Sequence, residues 1–375
     1  MTPVARSCPL CRSDCGIPLL RREAVPTISN RLYESRAAAR AAPVGELDLV
    51  ACAACGFTYN RRFDPALAAY DDGYENDQAG SPGFADYLED VRDRLLAGRA
   101  DWVLEIGCGQ GWLLESLVER GAGRRAAIGY DAAWRPRPLP PRMRIERAAF
   151  DMAVPGEGFD LIYARHVIEH VATPVTLLRA MAGALAPGGR VCLEVPSLDW
   201  ILAQGQMQDF FYEHCNYFTA ASLAATCTEA GLGLSRVEAR FGGQYLWAEA
   251  EARSAPGRAD PVLLPPVLDT AFFLRWQQRL DGLREAGPVA LWGAAAKGVT
   301  FAAAADPEAT RIACLIDINP LKQARYIPCS GHKVLAPDGA AALGVRSIIV
   351  MNPNYREEIA AMAETAGLHA QLLAC

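Results

Sequence analysis

The chain lacks an excess of positive charge and any long apolar run. Its 375 residues include 37 Lys and Arg against 43 Asp and Glu, for a net charge of -6. Such a chain offers no positive field to attract a nucleic-acid backbone. No stretch of about eighteen apolar residues is present to span a bilayer. The start, "MTPVARSCPLC", also lacks the apolar core of a secretory signal. We therefore expect no nucleic-acid or membrane partner and a cytoplasmic protein.

Two C-x-x-C pairs near the start indicate a metal site. Cys8 and Cys11 lie in "CPLC", and Cys52 and Cys55 lie in "CAAC". Each pair can direct two thiolates at one tetrahedral ion about 2.3 Å away, and four thiolates form a closed, structural zinc site. A redox C-x-x-C pair is the alternative, although no thioredoxin-like pattern surrounds either pair. Cys15 could replace one of the four ligands. We predict structural Zn²⁺.

The segment "DWVLEIGCGQGWLLESLVERG" predicts a strand, a glycine-rich turn and an amphipathic helix. The turn contains Gly107, Gly109 and Gly111, and glycine lets a backbone approach a ligand closely. A second short strand, "AAIGYDAA", ends at Asp131, where a carboxylate can accept hydrogen bonds from both hydroxyls of a ribose. This pattern predicts a nucleoside-binding βαβ unit.

The kind of nucleoside follows from the residue in front of the turn. Glycine-rich turns of this type occur with nicotinamide, flavin and S-adenosylmethionine. Glu105 precedes Gly107 by two residues, where a carboxylate attracts a cationic methionine amine and repels a pyrophosphate. The later segments "GFDLIYARHVIEHV" and "LAPGGRVCLEVP" add two strands. In this order the elements resemble class I S-adenosylmethionine-dependent methyltransferases. A Rossmann-type domain without a cofactor is the alternative.

That resemblance implies a set of cofactor-binding residues. Glu105 and the three glycines would hold the methionine half of S-adenosylmethionine, Asp131 the ribose, and Phe150 and Asp151 the adenine. The expected cofactor-binding set is Glu105, Gly107, Cys108, Gly109, Gln110, Gly111, Asp131, Phe150, Asp151, Ala164 and His166.

The last third of the sequence predicts a second α/β unit. "EAGPVALWGAAAKGVTFAAA" and "RIACLIDINPLKQARYIP" give a strand, turn and helix, then a strand that ends near Asp317. The turn "GAAAKG" lacks the Gly-Lys-Ser/Thr close of a phosphate-binding Walker loop and the middle glycine of a dinucleotide fingerprint. Lys297 at the helix start can contact a phosphate, because helix N-termini favour anions. A solvated surface lysine is the alternative.

Residues 210–218, "FFYEHCNYF", place a carboxylate and an imidazole among aromatic side chains. Burying such groups costs several kcal/mol unless they are paired or used. One interpretation is a catalytic base with its partner. The other is a hydrogen-bonded Glu-His pair that fixes a loop.

Across nearly its whole length the chain resembles the sugar C-methyltransferases. The resemblance is carried by the two Cys pairs, the methyltransferase core, "YEHCNYF", "GGQ", "AAKG" and "INPLKQ", in that order. Those enzymes methylate nucleotide-linked deoxy-keto sugars in antibiotic biosynthesis. The family implies a zinc-binding N-terminal domain, a central S-adenosylmethionine domain and a C-terminal domain that helps to hold the nucleotide sugar.

The resemblance also implies roles for individual residues. His214 matches the base that forms an enolate, Glu213 would orient it or bind sugar hydroxyls, and His170 matches a second histidine. Phe211 stands where the family has a tyrosine, so Tyr212 or Tyr74 would supply the hydroxyl. The expected catalytic set is His214, Glu213, His170, Tyr217, Tyr212 and Tyr74, and the expected substrate-binding set is Lys297, Asn319, Lys322 and Gln244.

These interpretations combine into one prediction. We expect an α/β protein with a class I (Rossmann-like) methyltransferase core, a small zinc-binding domain and a second Rossmann-like domain. The predicted boundaries are 1–66 for the zinc-binding domain, 67–96 for a connector or lid helix, 97–255 for the methyltransferase domain and 256–375 for a linking helix with the substrate-binding domain. The expected activity is S-adenosylmethionine-dependent C-methylation of a small molecule. O- or N-methylation of another metabolite, or a zinc scaffold with a vestigial cofactor fold, are the alternatives.

Overall fold

The computed structural model is an α/β protein with three β-sheets. It describes residues 6–68, 70, 73–75, 81–150, 158–253, 264–265 and 268–375. The strands are β1 (Gly16–Pro26), β2 (Val44–Cys52), β3 (Thr58–Asn60), β4 (Trp102–Ile106), β5 (Ala126–Tyr130), β6 (Met143–Glu146), β7 (Phe159–Arg165), β8 (Leu185–Pro196), β9 (Asn216–Tyr217), β10 (Leu232–Arg240), β11 (Tyr245–Ala252), β12 (Val289–Trp292), β13 (Cys314–Ile316), β14 (Val334–Leu335), β15 (Ser347–Val350) and β16 (Gln371–Ala374).

The helices flank these sheets. They are α1 (Arg36–Arg40), α2 (Pro82–Leu96), α3 (Trp112–Glu119), α4 (Pro174–Gly183), α5 (Leu198–Ala203), α6 (Ala220–Glu229), α7 (Phe272–Ala286), α8 (Ala296–Ala305), α9 (Pro337–Ala342) and α10 (Arg356–Thr365). None of the described helices is long and apolar enough to cross a membrane.

The central sheet has the strand order β10-β11-β8-β7-β4-β5-β6. Strands β8, β7, β4, β5 and β6 are parallel, whereas β11 runs antiparallel to β8 and β10 antiparallel to β11. The apolar strand β4 is buried along most of its length, as expected when helices cover both faces of a parallel sheet. Helix α2 packs one apolar stripe, formed by Phe84, Tyr87, Val91 and Leu95.

The C-terminal sheet is parallel throughout, with the order β14-β13-β12-β15-β16. The order reverses between β13 and β15, on either side of β12. In open parallel sheets, ligands bind beyond the carboxyl ends of the strands at such a reversal. The carboxyl ends of β12, β13 and β15 are therefore the expected binding edge of this unit.

The N-terminal sheet is antiparallel and has the order β1-β2-β3-β9. Its fourth strand, β9, belongs to the "FFYEHCNYF" segment more than 150 residues later in the chain. Thr58 pairs with Tyr217, and Tyr59 pairs with Asn216. The N-terminal sheet is therefore completed by the two residues that follow His214 and Cys215.

Candidate active site

The turn between β4 and α3 has the conformation that its glycines permit. Gly107, Gly109 and Gly111 have φ values of 70°, 56° and 81°, which favour glycine over residues with a Cβ atom. A Cβ atom at Gly109 would meet no atom within 4 Å, so space is open above this residue. Asp131 accepts hydrogen bonds from the Gly109 N–H and the Ala133 N–H, both at 2.8 Å. The carboxylate therefore holds the loop at the tip of β5.

Glu105 is a buried acid beneath this turn. The residue is 4% exposed, and its Oε2 atom has no hydrogen-bond partner in the described chain. Burial raises the pKa of Glu105 to about 8, against the opposing effect of the neighbouring Tyr163 hydroxyl. An unpaired buried carboxyl group is costly. An ammonium group bound at the turn would relieve that cost.

The other residues of the expected cofactor-binding set surround the same turn. The Gln110 side chain donates to the Ala133 carbonyl oxygen (3.2 Å) and accepts from the Arg135 N–H (3.1 Å). Cys108 and Ala164 are buried. Phe150 packs edge-on against Tyr130, with ring centroids 5.4 Å apart. Asp151, expected at the adenine, lies outside the described residues.

A cavity of about 540 Å³ lies between the carboxyl ends of the central and C-terminal sheets. Three of the five histidines and two of the three lysines of the sequence line it. The expected site residues in its wall are His166, His170, Glu213, His214, Tyr74, Gln244, Lys297, Asn319 and Lys322. The structure therefore brings residues from three parts of the chain to one cavity.

Tyr212 and Tyr217, both expected at the reacting centre, lie outside the cavity wall. The Tyr212 hydroxyl accepts from the Asp64 N–H (2.8 Å) and donates to the Asp64 carbonyl oxygen (3.3 Å). The Tyr217 hydroxyl accepts from the Phe211 N–H (3.2 Å) and donates to its carbonyl oxygen (3.0 Å). Both hydroxyls are hydrogen-bonded to the backbone, and these contacts fix the loop that carries His214.

His214 is buried in the cavity wall with 8% of its surface exposed. Its ring centroid lies 4.0 Å from that of Phe211 and 4.7 Å from that of His170. Burial, together with His170, His166 and Lys297, holds the pKa of His214 well below its usual value. The imidazole is therefore neutral at pH 7 and has a lone pair available to accept a proton.

Glu213 is almost fully buried beside it. Its Oε2 atom accepts a hydrogen bond from the Ser29 N–H at 2.7 Å, whereas Oε1 has no partner in the described chain. Burial raises the pKa of Glu213 to about 7. The Glu213 carboxyl is thus held by the N-terminal region and not by a hydrogen bond to the adjacent imidazole.

One tyrosine of the connector contacts His170, and a second packs against the first. The Tyr70 hydroxyl lies 2.9 Å from His170 Nδ1, and the Tyr74 hydroxyl accepts from Asn30 Nδ2 at 3.4 Å. Their rings are in edge-to-face contact at 4.8 Å. Sequence reasoning included Tyr74 and left Tyr70 out of the site, because no local pattern separates a linker tyrosine from one that folds back onto a histidine.

The opposite wall of the cavity carries paired charges. Lys297 Nζ lies 2.7 Å from Asp209 Oδ2 and 4.8 Å from the Trp200 ring centroid. Asp317 accepts from the Ala294 N–H and the Asn319 N–H, both at 2.9 Å, and lies 3.6 Å from Lys322 Nζ. Sequence reasoning missed Asp209, because it is distant in sequence from Lys297.

Gln244, the fourth expected substrate-binding residue, is tied to the C-terminal unit. Its Oε1 atom accepts from the side-chain amides of Asn352 (2.9 Å) and Asn354 (3.1 Å). The turn that contains Gln244 follows β10 of the central sheet, whereas Asn352 follows β15 of the C-terminal sheet. This contact joins the two sheets at the rim of the cavity.

The four cysteines of the C-x-x-C pairs converge at a distance from this cavity. Their sulfur atoms all lie within 4.8 Å of one another. Cys8 Sγ lies 3.6 Å from Cys55 Sγ, and Cys11 Sγ lies 3.4 Å from Cys52 Sγ. A tetrahedral zinc ion with bonds of about 2.3 Å separates its sulfur ligands by about 3.8 Å. The four thiols fit such an ion, and Cys15 is not part of this group.

Comparison with known proteins identifies the chemistry. Residues 83–236 match a family described as a methyltransferase domain, and residues 275–371 match one described as a C-methyltransferase C-terminal domain. The protein is an S-adenosylmethionine-dependent methyltransferase. This assignment agrees with the class I arrangement of the central sheet and with the expected fold class. The same matches support a C-methyltransferase.

Among curated relatives, the methyltransferase is similar over most of its length to the C-methyltransferase NovU of Streptomyces niveus. The two are 25% identical over 392 residues, which cover 94% of this chain and 90% of the relative. A ubiquinone biosynthesis O-methyltransferase of Cereibacter sphaeroides is 39% identical over 98 residues. That match spans 23% of this chain and only 38% of the relative.

Solved methyltransferase structures resemble part of the methyltransferase. A putative S-adenosylmethionine-dependent methyltransferase from Listeria monocytogenes is 14% identical, with a TM-score of 0.38, and covers 45% of this chain and 100% of its own. Magnesium protoporphyrin IX methyltransferase from Synechocystis is 18% identical, with a TM-score of 0.35, and covers 46% of this chain and 84% of its own.

Proposed function

We propose that this methyltransferase transfers a methyl group to a carbon atom next to the ketone of a nucleotide-linked deoxy-keto sugar. The observation that carries the proposal is the neutral, buried His214, which faces the same cavity as Lys297 and Lys322. A C–H bond beside a ketone gives a nucleophilic enolate only after a base removes its proton. S-adenosylmethionine supplies the electrophilic methyl group when it is bound.

In the proposed reaction, His214 accepts the proton and the C–H electron pair forms the enolate. Bound S-adenosylmethionine would supply the methyl group to the enolate carbon and would keep the electron pair of its carbon–sulfur bond, and His214 would later release its proton to solvent. Tyr74, with its hydroxyl at the cavity wall, is the expected donor to the enolate oxygen. Glu213, fixed by the Ser29 N–H, is expected to contact the sugar hydroxyls through its unpaired Oε1.

The nucleotide is proposed to bind along the C-terminal wall. Lys297 and Lys322 are cations close to the carboxyl ends of β12 and β13, where phosphate groups and ribose bind in open parallel sheets. Asn319 and Gln244 supply amide groups on the same side. This placement leaves the histidine wall of the cavity to the keto sugar.

His214→Asn tests the proposed base. We expect kcat to fall about 10²–10⁴-fold, with S-adenosylmethionine affinity nearly unchanged, as for loss of a general base. His369→Asn is a matched control, because His369 is exposed and far from the cavity wall. Full activity of His214→Asn would remove His214 as the base. If His214 only stabilises the loop, the melting temperature and the activity of the His214→Asn variant should fall together.

O- or N-methylation is the second candidate, favoured by the partial match to O-methyltransferases. In that case His214 would deprotonate a hydroxyl or an amine. The two candidates differ in one observable, because only the C-methylation route requires the enzyme to remove a proton from a substrate carbon. Incubation of candidate keto sugars in D₂O without S-adenosylmethionine should exchange one such hydrogen, and His214→Asn should abolish that exchange. Methylation without any exchange would support the second candidate.

We also propose that Cys8, Cys11, Cys52 and Cys55 hold a structural zinc ion. The support is the convergence of four thiols from two chain segments. Zinc-binding free energy in small sites is folding free energy. A chelator should therefore release one zinc per chain and unfold the N-terminal sheet, with activity lost as β9 loses its partner β3. A folded, active protein that contains no zinc would contradict this proposal.

A further inference from the structure

Glu169 is a buried carboxylate whose ion-pair partner in the described chain is His166. The residue is 1% exposed, and neither of its carboxylate oxygens has a hydrogen bond in the described chain. Such a group normally destabilises a fold, so its retention calls for a compensating charge or a use. Sequence reasoning passed over Glu169, although it directly precedes His170 in "VIEHV".

Its neighbours are the two histidines of the cavity wall. A carboxylate oxygen of Glu169 and one ring nitrogen each of His170 and His214 all lie within 4.8 Å of one another. The His170 and His214 rings are in edge-to-face contact. Glu169 therefore adjoins the proposed base without a hydrogen bond to it in the described chain.

The backbone fixes this cluster from both sides. The Cys215 N–H donates to the Glu169 carbonyl oxygen at 2.9 Å. Asn216 Nδ2 donates to the carbonyl oxygens of Ile168 (3.2 Å) and Val171 (2.7 Å). The short helical turn that carries Glu169 is thus bound to the segment that carries His214. This arrangement sets the position of the carboxylate relative to the imidazole before any ligand binds.

A third histidine faces Glu169 from the other side. His166 Nδ1 lies 3.4 Å from Glu169 Oε1, and His166 Nε2 lies 3.0 Å from Glu194 Oε1. His166 has a φ of 53°, which is uncommon for a residue other than glycine and often marks functional sites. Burial opposes protonation of His166, but Glu169 and Glu194 outweigh it and raise its pKa to about 9.

We propose that Glu169 is a positioning residue that stabilises the positive charge His214 acquires when it takes the substrate proton. This inference rests on the proposed role of His214 as the base. The proton moves from the substrate carbon to a ring nitrogen of His214, and no bond to Glu169 forms or breaks. A carboxylate at this distance in a buried site favours the imidazolium and so lowers the barrier to proton removal.

The groups that face His214 explain why a carboxylate is needed. His170, His166 and Lys297 all disfavour its protonation, and Phe211 and Tyr217 contribute aromatic rings. Glu213 is next in sequence but has its Oε2 atom engaged by Ser29. Within the described chain, Glu169 is the acid grouped with both histidine nitrogens. It is therefore the group best placed to offset their effect when His214 is protonated.

Glu169→Gln keeps the shape of the side chain and removes its charge. We expect kcat to fall about 10–100-fold, with the KM for S-adenosylmethionine and the melting temperature nearly unchanged. Without the carboxylate the imidazolium is less stable, so the acid limb of the kcat–pH profile should move to lower pH. Glu169→Asp should restore part of the rate. Glu364→Gln, at an exposed position of α10, is the control.

Several outcomes would overturn the inference. An unchanged kcat and an unchanged acid limb would leave Glu169 without this role. A fall in activity that only follows a fall in melting temperature would make it structural. Glu169, His170 and His214 are also a possible ligand set for a divalent metal. Loss of a metal equivalent beyond the one held by the cysteines, upon Glu169→Gln, would replace the inference with a metal site.

The proposed function fails separately from this inference. If His214→Asn retains full activity and full C–H exchange, the base has been misassigned. If His214→Asn is inactive but Glu169→Gln has the wild-type rate and pH profile, the base stands and only the inference about Glu169 is wrong.

Discussion

Two turns in this molecule have the same local design but different charged neighbours. Gly107 to Gly111 follows β4, and Gly293 to Ala295 follows β12; each turn leads into a helix. In each case an aspartate at the end of the next strand accepts hydrogen bonds from the turn, Asp131 from Gly109 and Asp317 from Ala294. The charged side chains around these turns differ.

Glu105, a buried acid, lies two residues before the first glycine of the first turn, whereas buried Leu291 holds the equivalent position before Gly293, and Lys297 and Lys322 lie in the cavity wall near the second turn. The backbone of the second turn is also tighter, because a Cβ atom at Gly298 would lie 1.9 Å from the Gly293 carbonyl oxygen. We therefore expect the shared βα turn to place a ligand at the strand ends, and the nearby charged side chains to select a cationic or an anionic ligand.

Reversing the charge at the first turn should have the largest effect. Glu105→Lys places a cation where the ammonium group of S-adenosylmethionine is expected, and breaking a buried ion pair costs about 3–5 kcal/mol. We expect S-adenosylhomocysteine affinity, measured by calorimetry, to fall about 10²–10³-fold. Glu119→Lys, at the exposed end of α3, is the control. If Glu105→Lys bound S-adenosylhomocysteine as tightly as the wild type, Glu105 would not contact the cofactor.

Removing each aspartate separately should sharpen the comparison. Asp131→Ala should weaken S-adenosylmethionine binding by about 1.5–3 kcal/mol, the value of hydrogen bonds to a charged group. Asp317→Ala should weaken binding of the nucleotide sugar by a similar amount. Each variant should leave the other ligand unaffected, which calorimetry with both ligands will measure. If either variant weakened binding of both ligands, the two turns would not bind separate ligands.

The two turns should also differ in pH dependence. The pKa of Glu105 is about 8 without a ligand, and an ammonium group requires its ionised form. Binding therefore releases a proton, and affinity should rise with pH by up to about tenfold per unit below pH 8, then level off. Calorimetry in buffers of different ionisation enthalpy measures that proton. No proton release at pH 7 would contradict the role of Glu105.

The pH dependence of folding stability should have the opposite sign to that of cofactor affinity. Glu105 and Glu213 have raised pKa values in the folded protein, so folding binds protons between the unfolded pKa near 4.5 and pH 7–8. Their contribution is therefore present at low pH and is lost as pH rises through this window. Melting temperatures of the wild type and Glu105→Gln should converge as the pH is lowered.

The smallest effect is expected at the second turn. Lys297→Met should raise the KM for the nucleotide sugar less than about tenfold, since its ammonium group is already shared with Asp209. The single change leaves Asp209 buried and unpaired, which should lower the melting temperature. Adding Asp209→Asn should restore the melting temperature but not the KM. If the double variant recovered both the melting temperature and the KM, the Lys297–Asp209 ion pair would have only a structural role.

Local patterns in the sequence explain what could be predicted. The glycines of the first turn, Asp131 and the strand alternation are encoded within about 30 residues, and so the methyltransferase fold followed from them. The Cys pairs also form a short-range pattern. Contacts between residues far apart in sequence could not be found in this way. Examples are the contact of Tyr70 with His170 and that of Lys297 with Asp209.

Two tyrosines of the expected catalytic set show the same limit. A motif places Tyr212 and Tyr217 near His214 in sequence, but the chain turns at Tyr212 and Glu213, so nearness in sequence does not fix the direction of these side chains. Tyr212 turns to Asp64 and Tyr217 to the Phe211 backbone. Glu169 was missed for the converse reason, since its role depends on contacts made by residues more than forty positions away.

The fourth strand of the N-terminal sheet, β9, limits which segments of this enzyme can be exchanged with a relative. Asn216 and Tyr217 lie within the matched range 83–236, but their partners Thr58 and Tyr59 lie before it. A chimaera that exchanged only the matched range with a relative would pair a foreign catalytic loop with a native edge strand. Substrate preference should therefore be transferable between relatives only when residues 1–66 and the loop at 210–218 are inherited together.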